Sequence, residues 1–374
     1  MSIRITEVAN RKDLREFIDF PYRLYKRHPY YVPPLRFDEE ATLRKDKNPA
    51  FEYCDARLWL AYDGDSVVGR VAAIHNRAYI EKWKNRYLRF GWLDFHDNEH
   101  VAKALMDQVE QWGRELGMTA VHGPLGFTDL DHEGMLVEGF DRLGTLATLY
   151  NYPYYPTHVE KLGYQKDADW VEFSIKIPTT LPANLDRIAE IVLRRQQLRV
   201  LKVKTAKEIL PYAPQIFELI NIAYGNLYGV VPLTPRQVDY YVKQYFTFIH
   251  PDFVSLVLDR DGKLAAFGIT MPSLSRALQK AAGNLFPLGI FYLLGALRWN
   301  KLSDLYLVAV RPELQGKGVN AILMREVNLG YIRYGIQVAE SNPQLETNVR
   351  AQMWEYYEWE QHKRRRCYIK QLQP

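Results

Sequence analysis

The chain has 374 residues, 49 Lys and Arg against 44 Asp and Glu for a formal charge of +5, 47% hydrophobic residues and two cysteines. At roughly 100–200 residues per domain this length asks for two domains with proper cores, and the composition excludes disorder, a solenoid array and a disulfide scaffold. Cys54 and Cys367 lie far apart, no Cys/His cluster has zinc-ligand spacing, and a charge of +5 spread this thinly excludes a concentrated nucleic-acid face; a reduced, cytoplasmic protein without metal is expected.

In chain order, the start MSIRITEVANRKDLREF has no apolar h-region and reads as a first strand and helix. Arg57 to Asn76 alternates around Asp63-Gly64-Asp65, a hairpin signature. RFGWLDF then runs through Phe95-His96-Asp97-Asn98-Glu99 into a helix with Val101, Leu105, Val109 and Trp112 on one face. A strand from Ala120 leads into GPLGFTDLDHEG, where His122, His132 and Glu133 read as ordinary polar positions, since their spacing puts no two ligands on one helix face. Tyr150 to Pro156 is aromatic enough to line a cleft or to form a rigid packing patch, and both readings stay open. DWVEFSIKI closes the first half, and the Pro-rich stretch from Ile175 to Leu185 marks the boundary.

The second half repeats the order. A hairpin spans Phe253 to Ser273 around Asp261-Gly262, DLYLVAV runs into a helix carrying Ile322, Val327 and Ile332, and IQVAE and CYIKQL supply two more strands. Hairpin, strand, helix, strand, helix, strand, twice, predicts an α/β fold with a mixed sheet in each half. The expected division is 1–178, a linker and helix at 179–197, and 198–374 with an insertion at 273–300. That insertion is basic and amphipathic at first, then apolar; covering an acceptor cleft, taking up a hydrophobic substrate, touching a membrane surface and packing between domains are its open roles. Its apolar run, Leu285 to Leu297, falls short of the roughly 20 residues a spanning helix needs. The basic run His362 to Arg366 reads as a solvated strand edge.

The segment Asp304 to Met324 carries the chemistry. A buried strand ends at Val310, a Pro turn follows, and Gln315-Gly316-Lys317-Gly318 opens a helix whose first N–H groups and dipole point outward, an anion site suited to a pyrophosphate. It matches neither a dinucleotide fingerprint nor a Walker loop, so physics alone leaves a structural turn equally open.

Val310-Arg311-Pro312 followed by Gln315-Gly316-Lys317-Gly318 resembles the acyl-CoA motif of the GCN5-related N-acetyltransferase (GNAT) superfamily, with Asn320 where that pattern has Gly or Ala. The resemblance implies two tandem GNAT-like domains, each a mixed twisted sheet flanked by helices. It implies that Gln315, Gly316, Lys317, Gly318, Val319 and Asn320 hold the diphosphate of acetyl-CoA or another acyl-CoA, and that the strand around Val308 and Val310 holds the pantetheine arm. Glu340, at the end of IQVAE, becomes the candidate general base, although a surface or capping role is open to it by residue type. Tyr356 becomes the candidate acid, from the likeness of the Asn348 and Ala351 stretch to the family's last helix. In the first half, HVEKLGYQKDADWVEF is similar to the family's closing helix and strand, but Asp97 and Glu99 occupy the diphosphate turn; they are expected to cap the helix and leave one CoA per chain. The implied function is acyl-CoA-dependent N-acyltransfer, acetyl transfer to an amine of a small molecule or peptide. A non-catalytic GNAT-fold binding protein and a long-chain acyl or aminoacyl transferase using 273–300 are the alternatives, with a homodimer contact left open.

Overall fold

The computed structural model describes residues 3–246, 249–348 and 357–373. Its elements begin β1 (Arg4–Glu7), α1 (Arg11–Leu24), α2 (Arg36–Leu43), β2 (Cys54–Asp63), β3 (Ser66–Asn76), α3 (Arg77–Trp83), β4 (Tyr87–Phe95), α4 (Glu99–Glu115), β5 (Ala120–Gly123), β6 (Met135–Glu138), α5 (Tyr154–Lys161) and β7 (Gln165–Lys176). They continue α6 (Ala183–Arg195), β8 (Arg199–Leu201), α7 (Ala206–Ile209), α8 (Ala213–Ala223), α9 (Pro235–Tyr245), β9 (Val254–Leu258), β10 (Leu264–Pro272), α10 (Ser275–Ala281), α11 (Gly289–Arg298), β11 (Leu302–Val310), α12 (Val319–Tyr334), β12 (Val338–Ser341), β13 (Gln344–Leu345) and β14 (Glu358–Gln371).

The chain forms two units. Unit 1 takes the chain up to Val171, Leu274–Gly295 and the chain from His362; unit 2 takes Glu172–Ser273 and Ala296–Gln361. The units are thus interleaved, where the sequence suggested contiguous halves at 1–178 and 198–374. Strand pairing is the reason. In unit 1, Tyr368 to Gln371 of β14 pair antiparallel with Gly123 to Ala120 of β5; in unit 2, Ser174 to Lys176 of β7 pair with Glu340 to Val338 of β12. A buried strand must give its backbone groups to some neighbour, and nothing in its side-chain alternation says which.

In unit 1 the sheet runs β1-β2-β3-β4-β5-β14, antiparallel except for the parallel β4–β5 pair. The hairpin turn uses Gly64 at φ 57, the left-handed region that favours glycine. Helix α4 buries Val101, Leu105, Val109 and Trp112 among Trp59, Val71 and Phe90, so truncating Leu105 to Ala costs about 2–5 kcal/mol.

The run His362–Arg366 is not a solvated edge. It lies within β14, where Lys363 and Arg365 are 1% exposed and Asp169 accepts from Arg364 Nη1 (3.2 Å) and Arg366 Nε (2.8 Å). Asp169 offsets the desolvation of Arg364 and Arg366, and on the other face Arg365 Nη1 donates to the Leu149 carbonyl (2.5 Å), so the run need not stay in water. Helix α10 of the insertion docks within unit 1: Leu278 is fully buried, and Gln279 Nε2 donates to the carbonyls of Pro29 (3.0 Å) and Tyr31 (2.9 Å). Beyond it Phe286, Leu288, Phe291, Leu294 and Trp299 stand exposed. Among the described residues no helix is long and apolar enough to cross a membrane.

In unit 2 the sheet runs from β7 through β12, β11, β10 and β9 to β8, with β11–β12 parallel. Val319, Ile322 and Leu323 of α12 pack with Val257, Ala265, Ala266 and Val310 of the sheet, and with Ala189 and Val192 of α6.

Candidate functional site

The parallel pair of unit 2 opens into a fork. β11 and β12 pair only from Leu302↔Val338 to Leu305↔Ser341. Just beyond, the register with β10 slips between Ile269 and Thr270 and leaves Tyr306 as an extra residue, a bulge that bends β11 and ends its pairing. Asn342 closes the fork, donating from its backbone N–H to the Leu305 carbonyl (3.1 Å) and from Nδ2 to the Tyr306 carbonyl (3.2 Å). On the opened edge, the Tyr224 hydroxyl donates to the Val308 carbonyl (2.8 Å) and accepts from the Val308 N–H (3.3 Å). One phenol therefore holds both strand groups that an extended ligand would use there.

Past Val310 a short 3-10 turn at Pro312–Leu314 leads to Gly316 at φ 74 and Gly318 at φ 82, and α12 begins at Val319. Gln315 serves the turn itself, since its Nε2 donates to the Val310 carbonyl (3.0 Å). Among the described residues the N–H groups of Gly316, Gly318, Val319 and Asn320 meet no acceptor. Gly316, Lys317, Gly318 and Asn320 are exposed, whereas the Val319 side chain is buried in the core. A Cβ on Gly316 meets nothing within 4 Å, and one on Gly318 comes 3.0 Å from Val192 Cγ2. Four open donors at the positive end of a sixteen-residue helix, with a lysine beside them, suit the diphosphate of a CoA.

Glu340 sits in β12 opposite Asp304 of β11 and Ser174 of β7. Paired residues share a face, so Glu340 and Asp304 look away from α12, toward which Ser303 turns to donate from Oγ to the Tyr331 hydroxyl (3.0 Å). The half-buried Glu340 carboxylate lies within 4.8 Å of that of Glu172, which is fully buried. Tyr356 lies outside the described residues. Its neighbour Tyr357 accepts from Asn328 Nδ2 (2.6 Å), and burial pushes its phenol up to about 12, so it keeps its proton at neutral pH. Sequence reasoning missed Tyr224 and Glu172. Glu172 had a faint signal as an acid in the alternating run WVEF; Tyr224 had none.

Unit 1 has the same fork. β4 and β5 pair from Tyr87↔Ala120 to Arg89↔His122, and the β3–β4 register then slips between Arg70 and Ala72, with Trp92 at φ 47. The turn after β4 differs. Asn98 caps α4 by accepting from the His100 N–H (2.9 Å), while Asp97 Oδ1 is bonded to His158 Nε2 (2.7 Å). The expected capping by Asp97 and Glu99 is thereby corrected: the short Asn side chain precedes the first turn and reaches its free N–H, and Asp97 has turned to the imidazole.

The histidines of the first half go to separate partners. His122 is fully buried in β5, and burial, helped by Arg89 and opposed by Asp167, lowers its pKa to about 4. His132 Nε2 is bonded to the Leu146 carbonyl (2.9 Å). The loop carrying them is less ordinary than its sequence suggested, because burial raises Asp129 to about 6 and Glu133 well above the usual carboxyl range. The stretch Tyr150 to Pro156 packs within unit 1: Tyr150 and Tyr155 are buried in its core with Tyr152 and Tyr154 against them, and Tyr150, Asn151 and Tyr155 also border a cavity.

No protein-family model matches the chain. It is 28% identical over 374 aligned residues to protein YghO of Escherichia coli (strain K12), covering 97% of this chain and 94% of that protein. It is 26% identical over 359 residues to the bacterial ceramide synthase of Caulobacter vibrioides, covering 91% of each. A solved tandem GNAT protein from the clavulanic acid biosynthesis pathway superposes with a TM-score of 0.57 at 14% identity, covering 100% of this chain and 99% of that one. The chain has the tandem GNAT fold, an α/β architecture with a mixed sheet flanked by helices in each unit.

Proposed function

We propose that this tandem GNAT-fold chain is an acyl-CoA-dependent N-acyltransferase that loads its donor in unit 2 and transfers a long acyl chain to the amine of a lipid-like acceptor. The observation that carries the reading is the Gly316 to Asn320 turn, in which four N–H groups meet no acceptor among the described residues. Acyl-CoA supplies a thioester. The residues of the chain do the rest: the turn holds the diphosphate, the opened edge at Val308 lines the pantetheine arm once the Tyr224 hydroxyl yields, and Glu340, within 4.8 Å of Glu172, takes the proton from the attacking amine. The C–N bond forms as the C–S bond breaks, and the departing thiolate takes up a proton, for which Tyr356 remains the candidate donor.

Chain length moves from the acetyl group expected from sequence to a fatty acyl group for two reasons. The relative from Caulobacter is a ceramide synthase, and a ceramide is a fatty amide of a long-chain amino alcohol. The exposed apolar residues Phe286, Leu288, Phe291 and Leu294 give a lipid surface something to touch. The test is thiol release, with mass spectrometry of the amide, across acyl-CoAs of two to eighteen carbons with long-chain and short amines. Amide formation favouring long acyl chains is expected, and Glu340→Gln should lower kcat about 100-fold with CoA binding kept. No CoA binding at millimolar concentration in calorimetry overturns the reading.

A further inference from the structure

Helix α11 has the composition of a core element and almost none of the burial. Its sequence, GIFYLLGALR, holds one charge, Arg298 at the last position, and Gly289 is the one residue of it that is buried. Phe291 is 67% exposed and Phe286, in the turn that leads into the helix, 73%; Leu288, Tyr292 and Leu294 are exposed as well. Leu288, Phe291, Tyr292 and Gly295 follow at helical spacing, and a Cβ on Gly295 meets nothing within 4 Å, so this face is open along its length. A helix that is apolar on all sides is ordinarily covered, by a core or by lipid, and α11 has about half of the roughly 20 residues that cross a bilayer.

The base of this helix is fixed in unit 1. Leu278 of α10 is fully buried, and a Cβ on Gly289 would come 3.1 Å from Ala281 Cβ, so α11 starts against the end of α10. Arg36 Nη1 donates to the Ala282 carbonyl (2.6 Å) and to Asn284 Oδ1 (3.2 Å), which ties the turn between the two helices to α2. The apolar side chains are therefore held out by a packed base and not by a free loop.

Charge says what covers them. From Leu274 to Leu302 the chain has no Asp or Glu, whereas Arg276, Lys280, Arg298 and Lys301 are all exposed. Arg276 Nη1 donates to the neutral Gln279 Oε1 (2.9 Å), and among the described residues no carboxylate stands within ion-pair distance of Lys280 or Arg298. A second copy seated face to face would set these cations against one another, because a two-fold contact pairs like with like. A neutral apolar partner would leave them without a counter-charge. An anionic lipid surface suits both, with the apolar side chains entering the acyl boundary and the cations lying among the headgroups. We infer that α11 and the turn before it dock on a bilayer rich in anionic phospholipid. The docking needs no reaction, so it goes beyond the transfer reading and stands without it.

The test is co-sedimentation of the full chain with vesicles of phosphatidylcholine alone and of an equal mixture with phosphatidylglycerol. The mixed vesicles should bind at least about 10-fold more tightly, and ~1 M salt, where the Debye length is about 3 Å, should remove most of that preference. Phe291→Glu with Leu294→Glu should weaken binding to mixed vesicles about 100-fold or more, and Lys280→Gln with Arg298→Gln about 10- to 30-fold, at about fivefold per cation. Both pairs replace exposed side chains, and circular dichroism checks that each variant is folded. No sedimentation with mixed vesicles overturns the inference, as does equal affinity for the two kinds of vesicle, or binding that either pair leaves unchanged. A dimer in analytical ultracentrifugation that Phe291→Glu with Leu294→Glu dissolves would give the face to a second copy and overturn it too. Because each pair decides separately, a failure of one to fold leaves the other decisive. CoA binding, measured without vesicles, reports on the transfer reading alone.

Discussion

In both units a parallel strand pair opens at a bulge, and the two openings meet different chemistry. In unit 2 the strand runs on to Gly316 and Gly318 and a helix start where, among the described residues, four N–H groups meet no acceptor. In unit 1 the matching turn is capped by Asn98 and carries Asp97 and Glu99, and Trp92 beside the fork donates to the Glu39 carboxylate of α2. The same backbone thus carries different side-chain chemistry in the two units. A helix start favours an anion in either unit, and the side chains set before it decide whether that preference is left open or used up internally.

The sharpest way to break the comparison is to put an acid where unit 2 has none. Gly318→Glu adds negative charge at the turn and a side chain at φ 82, with a Cβ only 3.0 Å from Val192 Cγ2. CoA affinity should fall by about 1000-fold or more in calorimetry, while Asp97→Gly in unit 1 should leave the stoichiometry at one CoA per chain. A stoichiometry of two that Gly318→Glu leaves at two would end the division of labour.

Next in size is the buried pair behind the unit 1 cavity. Arg70 and Asp94 are both mostly buried and 2.7 Å apart, so Asp94→Asn strands a guanidinium and should cost about 3–5 kcal/mol in denaturant unfolding. An effect near zero would mean that water reaches the pair.

A pH series probes unit 1 by another route. His122 has a folded pKa of about 4 against 6.5 unfolded, because burial disfavours its charged form. Its contribution is complete above pH 6.5 and is lost as pH falls toward about 4, by about 3 kcal/mol in all. Asp129, raised to about 6 by burial, works in the opposite direction over an overlapping range, so the readout is the difference between the parent and His122→Gln. That variant should lack the fall between pH 6.5 and 4; a parallel pair of curves would show that the imidazole is solvated.

The smallest expected effect sharpens the picture of unit 2. Tyr224→Phe removes a hydroxyl that occupies both backbone groups of Val308. CoA affinity should rise about two- to tenfold, since a ligand no longer displaces that hydrogen-bonded pair. Weaker binding would instead make Tyr224 part of the binding surface.

Much of this was legible in the chain itself. Both hairpins, both strand-to-helix runs and the Gln315 to Gly318 turn follow from local rules: alternation at period two, apolar residues at helical spacing, and glycines where φ turns positive. Each of those signals is confined to a few neighbouring residues, so a sequence carries it in full. Partner choice is not local. Nothing near Tyr368 says that β14 pairs with β5, nothing near Arg365 says that the basic run is buried, and nothing near Glu39 says that Trp92, 53 residues later, donates to it. Those facts are set by which strand edges and side chains meet across the folded chain, and the energies concerned, backbone pairing and the desolvation of charge, exist only once they have met. The sequence determined the elements and the glycine turn after β11; the tertiary structure decided the interleaved strands, the Tyr224 contact on Val308 and the Trp92 hydrogen bond to Glu39.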